Sequence, residues 1–374
     1  MGNMNKYISI LFILLFLSCS KSNYIPIMQV PEIEFSSVDN ITQADHSFIN
    51  TANNQNVSIV NSLDETGFHF YNSFNFRTED IGILVGGTGL RGRVTQNAGT
   101  SWTEFRFSKF SNAFHSVAFS GNTIFIVGES KYIFRSTDFG KNWSVYNSEV
   151  LFEEGNSITQ FKFYKILFFD EKLGFIVGEH NSIPVILKTS DGGKHWEIID
   201  INESLKNNGA ITDFSIHSGK DITIVTSLGE CLKTNDGGTH WELIYKTNPL
   251  NSIAFKNKQT GFIGGINGTL LHTDNGGKDW NIIDVPEKPN ITDIVFTENS
   301  ALITTSISHS DNRNTFVYEI DENGKNIQPF LTKSDDNVLF TGDSYAIDVL
   351  DNNIYILDRN NLYKTTGNVS PQIE

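Results

Sequence analysis

The chain is poor in cysteine, in arginine and in helical patterning. Two cysteines, Cys19 and Cys231, stand among 374 residues, so neither a disulfide framework nor a Cys/His zinc spacing is available. Seven arginines and an excess of acids leave a formal net charge of −15. That balance argues against nucleic-acid binding and against direct attraction to anionic lipid, since both need a cationic face. Beyond the first residues no segment repeats its apolar residues at helical spacing. Metal and cofactor motifs are missing too. Gly87-Thr88-Gly89-Leu90-Arg91-Gly92 matches the dinucleotide fingerprint in letters, but it leads into a strand and offers no helix N-terminus to a phosphate. Asp321-Glu322-Asn323-Gly324 has calcium-ligand residue types without the full loop spacing. No metal and no cofactor are expected.

What is present is one phrase written five times, Ser/Thr-x-Asp/Asn-x-Gly-x-x-Trp. Its copies end at Trp102, Trp143, Trp196, Trp241 and Trp280, which are all the tryptophans of the chain. They recur at intervals of roughly 40–50 residues, a period that marks a repeat architecture. Each unit carries short apolar or alternating segments, such as Phe161-Lys162-Phe163, Gly174-Phe175-Ile176-Val177-Gly178 and Glu197-Ile198-Ile199. They read as four strands per unit, and four-stranded units repeated radially make a propeller blade.

The phrase is turn chemistry. Asn97, Asp138, Asp191, Asp236 and Asn275 can accept backbone N–H bonds across a tight turn. Gly99, Gly140, Gly193, Gly238 and Gly277 supply a positive φ. The Trp is expected to cover the turn and pack on its own blade; truncating a fully buried one should cost ~3–5 kcal/mol. Two copies carry Asn, which keeps the hydrogen bonds but no charge, so the role is structural rather than acid or metal chemistry.

This phrase resembles the Asp-box, or bacterial neuraminidase repeat. With Gly-Phe-x-x-Gly ahead of it, the pattern is most similar to the photosystem II assembly-factor family and its relatives in non-photosynthetic bacteria. The resemblance implies an all-β fold, with the boxes on the turns between third and fourth strands, away from the binding pocket. Degenerate units follow, around Phe316–Ile320 and Asn353–Leu357. The last unit holds three strands, and Val57-Ser58-Ile59-Val60 is the candidate for its missing fourth. About 45 residues per blade over 56–368 fits a seven-bladed β-propeller of four-stranded antiparallel blades better than six blades of about 52.

Residues 1–19 resemble a bacterial lipoprotein signal: Asn5-Lys6, an apolar run from Tyr7 to Leu17, then Ser18-Cys19. That run is too short to span a bilayer. The resemblance implies lipidation at Cys19 and a periplasm-facing protein anchored in the cell envelope. Residues 20–55 read as a Ser/Asn/Gln-rich flexible tether and 56–374 as one propeller domain. Cys231, alone in a strand, reads as a buried structural thiol.

Catalysis is not expected. A sialidase needs three converging arginines, and units four to six hold only Arg313. No carboxylate pair of a glycosidase stands out among 43 acids. A binding face should lie opposite the boxes, with Arg91, Arg93, Lys131, Tyr132, Glu179 and His180 as candidates. The expected role is a monomeric protein-binding or assembly scaffold holding an envelope or membrane protein. The alternative is a glycan-binding or glycoside-hydrolysing, sialidase-like propeller.

Overall fold

The computed structural model describes residues 27–29, 34–38, 47–49, 56–62, 71–86, 90–107, 112–151, 160–199, 201, 209–306, 315–332, 344–351, 353–358 and 361–366. Seven antiparallel sheets form the blades of a propeller. Their first strands are Tyr71–Phe76, Phe114–Ser120, Phe161–Phe168, Ile211–Ile216, Leu250–Phe255, Asn290–Phe296 and Ser344–Leu350, which number blades 1 to 7. These strands are the innermost, packed each against the next: the first strand of blade 7 also contacts that of blade 1. Blade 7 has three strands of its own, and Asn56–Ser62 pairs with Asn361–Thr366 as the fourth. Closure by the N-terminal strand therefore matches the expectation, and it leaves no blade-to-blade gap to act as an open edge.

The stretch expected to be a tether is not all tether. Ile27–Gln29, Glu34–Val38 and Ser47–Ile49 add fifth strands to the outer edges of blades 2, 1 and 7. Bare outer strands offer unpaired backbone groups, and these segments satisfy them. Cys19 lies outside the described residues.

The core lies between blades, in clusters that each draw on adjoining sheets. The five turns are built alike. In the third, the Thr189 hydroxyl donates to Asp191 Oδ1 (2.9 Å), Gly193 N–H donates to Thr189 Oγ1 (2.9 Å), and His195 N–H donates to Asp191 Oδ1 (2.9 Å). The same three bonds recur around Asn97, Asp138, Asp236 and Asn275. The degenerate turn of blade 6 keeps its acceptor, with Lys325 N–H donating to Asp321 Oδ1 at 2.8 Å.

The tryptophans reach further than their own blades. Trp143 lies 4.8 Å from Phe105 of blade 1, and Trp196 meets both Phe125 of blade 2 (6.2 Å) and Phe168 of its own (6.1 Å). The box therefore packs against the preceding blade. The glycine is part of that contact. Gly193 has φ +73°, and a Cβ there would sit 2.3 Å from the Phe125 ring. Trp102, Trp143 and Trp196 are buried, whereas Trp241 and Trp280 are half-buried. Cys231 is buried, and burial pushes its thiol up, as suits a structural residue.

Gly193→Ala combines left-handed backbone with a steric clash, and we expect it to cost about 2–4 kcal/mol. Lys194→Ala in the same turn, at an exposed position, should stay within about 0.5 kcal/mol. Urea denaturation of both variants checks this; equal effects would remove the steric account of the box glycine.

Candidate functional site

Each first strand carries a β-bulge at the same place, at residues 72, 115, 164, 212, 251, 292 and 345. A bulge re-aims the side chain it inserts. In blades 1, 2, 4 and 5 the bulged residue turns toward the next blade. Asn72 Nδ2 donates to Phe114 O (2.6 Å), Thr212 Oγ1 to Leu250 O (2.8 Å) and Asn251 Nδ2 to Ile291 O (2.8 Å). His115 Nδ1 bonds Phe163 O at 3.1 Å. The second strand must approach closely at this level. A Cβ on Gly178 would lie 2.0 Å from Lys162 O, which explains the closing glycine of Gly-Phe-x-x-Gly.

Inside this ring runs a channel of about 560 Å³, lined by all seven first strands. Its polar heart is Lys165. The ammonium lies 3.9 Å from Asp213 Oδ1 and 3.8 Å from Asp293 Oδ1. Each channel carboxylate also accepts backbone N–H bonds. Asp213 takes Phe214 (2.8 Å) and, across to blade 5, Ile253 (3.0 Å). Asp293 takes Ile294 (3.0 Å) and, across to blade 7, Ile347 (3.2 Å). Asp348 takes Val349 N–H at 2.8 Å and Asn75 Nδ2 at 3.5 Å.

The electrostatics follow from burial and from three carboxylates sharing one cation. Burial would lower the Lys165 ammonium, but Asp213, Asp293 and Asp348 outweigh it and hold it above its usual range. Burial raises Asp213, against the opposing pull of Lys165. Asp348 is pushed up to about 6, first by burial and then by Asp293, which together exceed the Val349 hydrogen bond and Lys165.

At the mouth opposite the boxes, His115 stacks on Tyr164 (5.4 Å, 8°). Tyr164 donates its hydroxyl to Glu179 (3.1 Å), which also faces Lys162 at 3.9 Å. Burial lowers His115 from its ordinary value, against the opposing pull of Glu129 at 3.8 Å. Burial and the adjacent Glu179 raise Tyr164.

Of the six residues expected on this face, Arg91, Tyr132 and His180 stand at strand ends, Glu179 next to one, Lys131 in the bend before Tyr132 and Arg93 at mid-strand, in three separate groups. Arg93 is buried, 3.1 Å from Glu104, with its guanidinium over the Tyr71 ring; Arg91 lies 3.9 Å from the same Glu104. Arg91 and Arg93 thus form a carboxylate-held pair. Lys131 lies over the Tyr132 ring at 5.7 Å. Glu179 joins Tyr164, and His180 stacks on Phe161 at 4.2 Å. The sequence reading missed His115, Tyr164, Lys165, Asp213, Asp293 and Asp348. A charge in an otherwise apolar first strand, as in Phe163-Tyr164-Lys165-Ile166, was the available signal. Among the described residues no three His, Cys, Asp or Glu side chains are grouped to hold a metal ion.

A closed ring of seven blades, with Ser/Thr-x-Asp/Asn-x-Gly turns on one face and a polar channel opening on the other, defines an Asp-box β-propeller. Within that class the chain is similar to photosystem II assembly-factor propellers. The family model described as photosynthesis system II assembly factor YCF48 matches residues 149–249 and 205–331. A solved structure described as YCF48 bound to D1 peptide is 18% identical, with TM-score 0.61, covering 84% of this chain and 96% of that one. YCF48 from Cyanidioschyzon merolae is 19% identical, with TM-score 0.62 and coverage of 82% and 98%. The WD40 propeller domain of Doa1 is 11% identical, with TM-score 0.57 and coverage of 83% and 97%. At these identities the likeness is one of fold. No curated protein sequence matches the chain.

Asp348 titrates above its unfolded value of 3.8, so the folded state holds that proton more tightly. Its contribution to stability is greatest at low pH and is lost as pH rises from about 4 to about 6. Asp348→Asn should flatten the stability profile across that window. Urea midpoints at closely spaced pH values test it, and an unchanged slope would contradict the assignment.

Proposed function

We propose that the chain is a non-catalytic scaffold that holds an extended segment of an envelope or membrane protein at the channel mouth opposite the boxes. One observation carries the non-catalytic reading. Every channel carboxylate is occupied by backbone N–H donors, and Asp213 and Asp293 also by Lys165, so these acids serve as clamps between blades. The mouth offers aromatic, cationic and acidic side chains side by side, a mixture suited to peptide recognition. The likeness to a YCF48 propeller bound to D1 peptide supports the same role.

The setting we propose is the periplasmic face of a bacterial envelope, with Cys19 lipidated. Multiple acyl chains anchor stably where one does not. The first described strand begins at Ile27, eight residues beyond Cys19, a reach of at most ~28 Å. The propeller would therefore ride close to the membrane, with blade 2 nearest the anchor.

In-cell crosslinking with mass spectrometry, comparing wild type with Lys131→Glu/Glu179→Lys, tests the role. One dominant envelope partner in wild type, depleted at least about tenfold in the variant, is the expected result. The same partners in both would refute the mouth as binding face. Cys19→Ala should move the protein from the membrane fraction to the soluble one; unchanged fractionation would remove the anchor.

The Asp348 carboxyl favours one second reading, a glycan-directed enzyme, because a value of about 6 suits a general acid. Turnover of fluorogenic glycosides, lost in Asp348→Asn, would establish that reading in place of the scaffold.

A further inference from the structure

The outer strand of every blade is a sheet edge, and an uncovered edge is a template for another strand. Three edges are covered by this chain's own N-terminal segments, always antiparallel. Ile27–Gln29 pairs with Ser144–Asn147, Glu34–Val38 with Trp102–Arg106, and Ser47–Ile49 with Asn56–Ser62. Blade 6 is blunted otherwise, since Pro329 stands within its outer strand Ile327–Thr332 and has no N–H to donate. Among the described residues the outer strands of blades 3, 4 and 5 end their sheets uncovered. They are Glu197–Ile199, Glu242–Lys246 and Asn281–Asp284.

The side chains follow the same division. The residue two places after the box Trp occupies one structural position. In blade 2, under its fifth strand, that residue is Val145, only 4% exposed. In blades 3, 4 and 5 it is Ile198, Leu243 and Ile282, at 40%, 50% and 78% exposure. Three neighbouring edges thus hold an aliphatic side chain in water where the covered blade buries one. Acids stand beside them, with Glu197, Glu242 and Asp284 all exposed.

We propose that the edges of blades 3–5 accept an extended segment of a partner polypeptide as an antiparallel fifth strand, its apolar residues alternating with basic ones. On either edge backbone hydrogen bonds supply the pairing and the apolar side chains cover Leu243 or Ile282; on blade 4 the basic ones, on the opposite face, meet Glu242. Blade 4, with the longest of the three uncovered strands, is the principal seat. A second copy of this chain fits poorly. Residues 22–55, which supply its rim strands, contain four acids and no lysine or arginine, so they would bring like charge to like. This surface lies on the rim, apart from the channel mouth, and its role does not depend on the mouth's.

The test uses the full chain and fluorescein-labelled nine-residue peptides of alternating lysine and valine. Controls are alternating glutamate and valine, and a lysine–valine peptide N-methylated on alternate backbone nitrogens. By fluorescence anisotropy the lysine–valine peptide should bind at least about tenfold tighter than either control. Leu243→Lys/Ile282→Lys should weaken it by a similar factor while keeping the wild-type melting temperature, because both positions are exposed. Amide exchange should slow at 242–246 on binding. Equal binding of the N-methylated peptide, no loss in the double variant, or protection confined to the channel strands would overturn the proposal. A dimer in sedimentation equilibrium that dissociates in the double variant would also overturn it, making the second copy the occupant.

Discussion

Seven blades stay in a ring only if each first strand is tied to the next, and in this chain the tie is made at the bulge. An extra residue in each first strand breaks the alternation of side chains, and in four of the blades it lets a polar group point along the ring to the next blade. Asn72, His115, Thr212 and Asn251 use that group to hold a carbonyl of the following blade. One residue further along, Ser116, Asp213 and Asp293 accept a backbone N–H from the following blade. The channel wall is therefore a belt of side-chain bonds to main chain. Such bonds answer backbone groups that the bulge takes out of the ladder, which would otherwise be buried unsatisfied.

The outer half of the ring is held by different means. There the blades are apolar wedges, and the box turns press a glycine and an indole on the blade before. Gly99 meets Val60, Gly140 meets Val94, Gly193 meets Phe125, Gly238 meets Ile199 and Gly277 meets Ile244. The first of these contacts falls on the N-terminal strand that completes blade 7. Ring closure thus rests on both a sheet ladder and a box contact, and the same residues that make the repeat recognisable also make it circular.

That division explains what could be read before any coordinates. The boxes, the blade number and the closing strand are encoded by repetition, and one copy interprets the next. The channel charges have little such redundancy. Lys165 and Asp348 each occur in one blade alone, the Ile-Thr-Asp of Asp213 and Asp293 in only two, and within a single unit each reads as a polar interruption of a strand. Only closure brings residues nearly 200 positions apart within reach of one ammonium group. The rim strands were hidden for another reason. A segment of three to five residues added at an edge buries little, so its composition stays that of a linker. The burial of Arg93 was not legible, because strand position shows which end of a blade a residue occupies but not that Glu104, its cross-strand partner, bonds it.

The three carboxylates around one ammonium follow from the geometry of the ring. Near the axis the first strands leave a channel whose wall mixes apolar side chains with polar and charged ones. Charge is tolerable there because each acid is hydrogen-bonded to main chain, and an isolated buried charge would not be. The result is a cation count two short of what neutrality needs if all three acids ionise, and Asp348, which no ion-pair contact reaches among the described residues, keeps its proton to near pH 6. Arg91, Arg93 and Lys131 stand outside this belt, held by Glu104 or an aromatic face. The channel wall is thus committed to holding blades together, and the side chains with surface to spare lie at the mouth and on the rim, where a partner can be met without dismantling the ring.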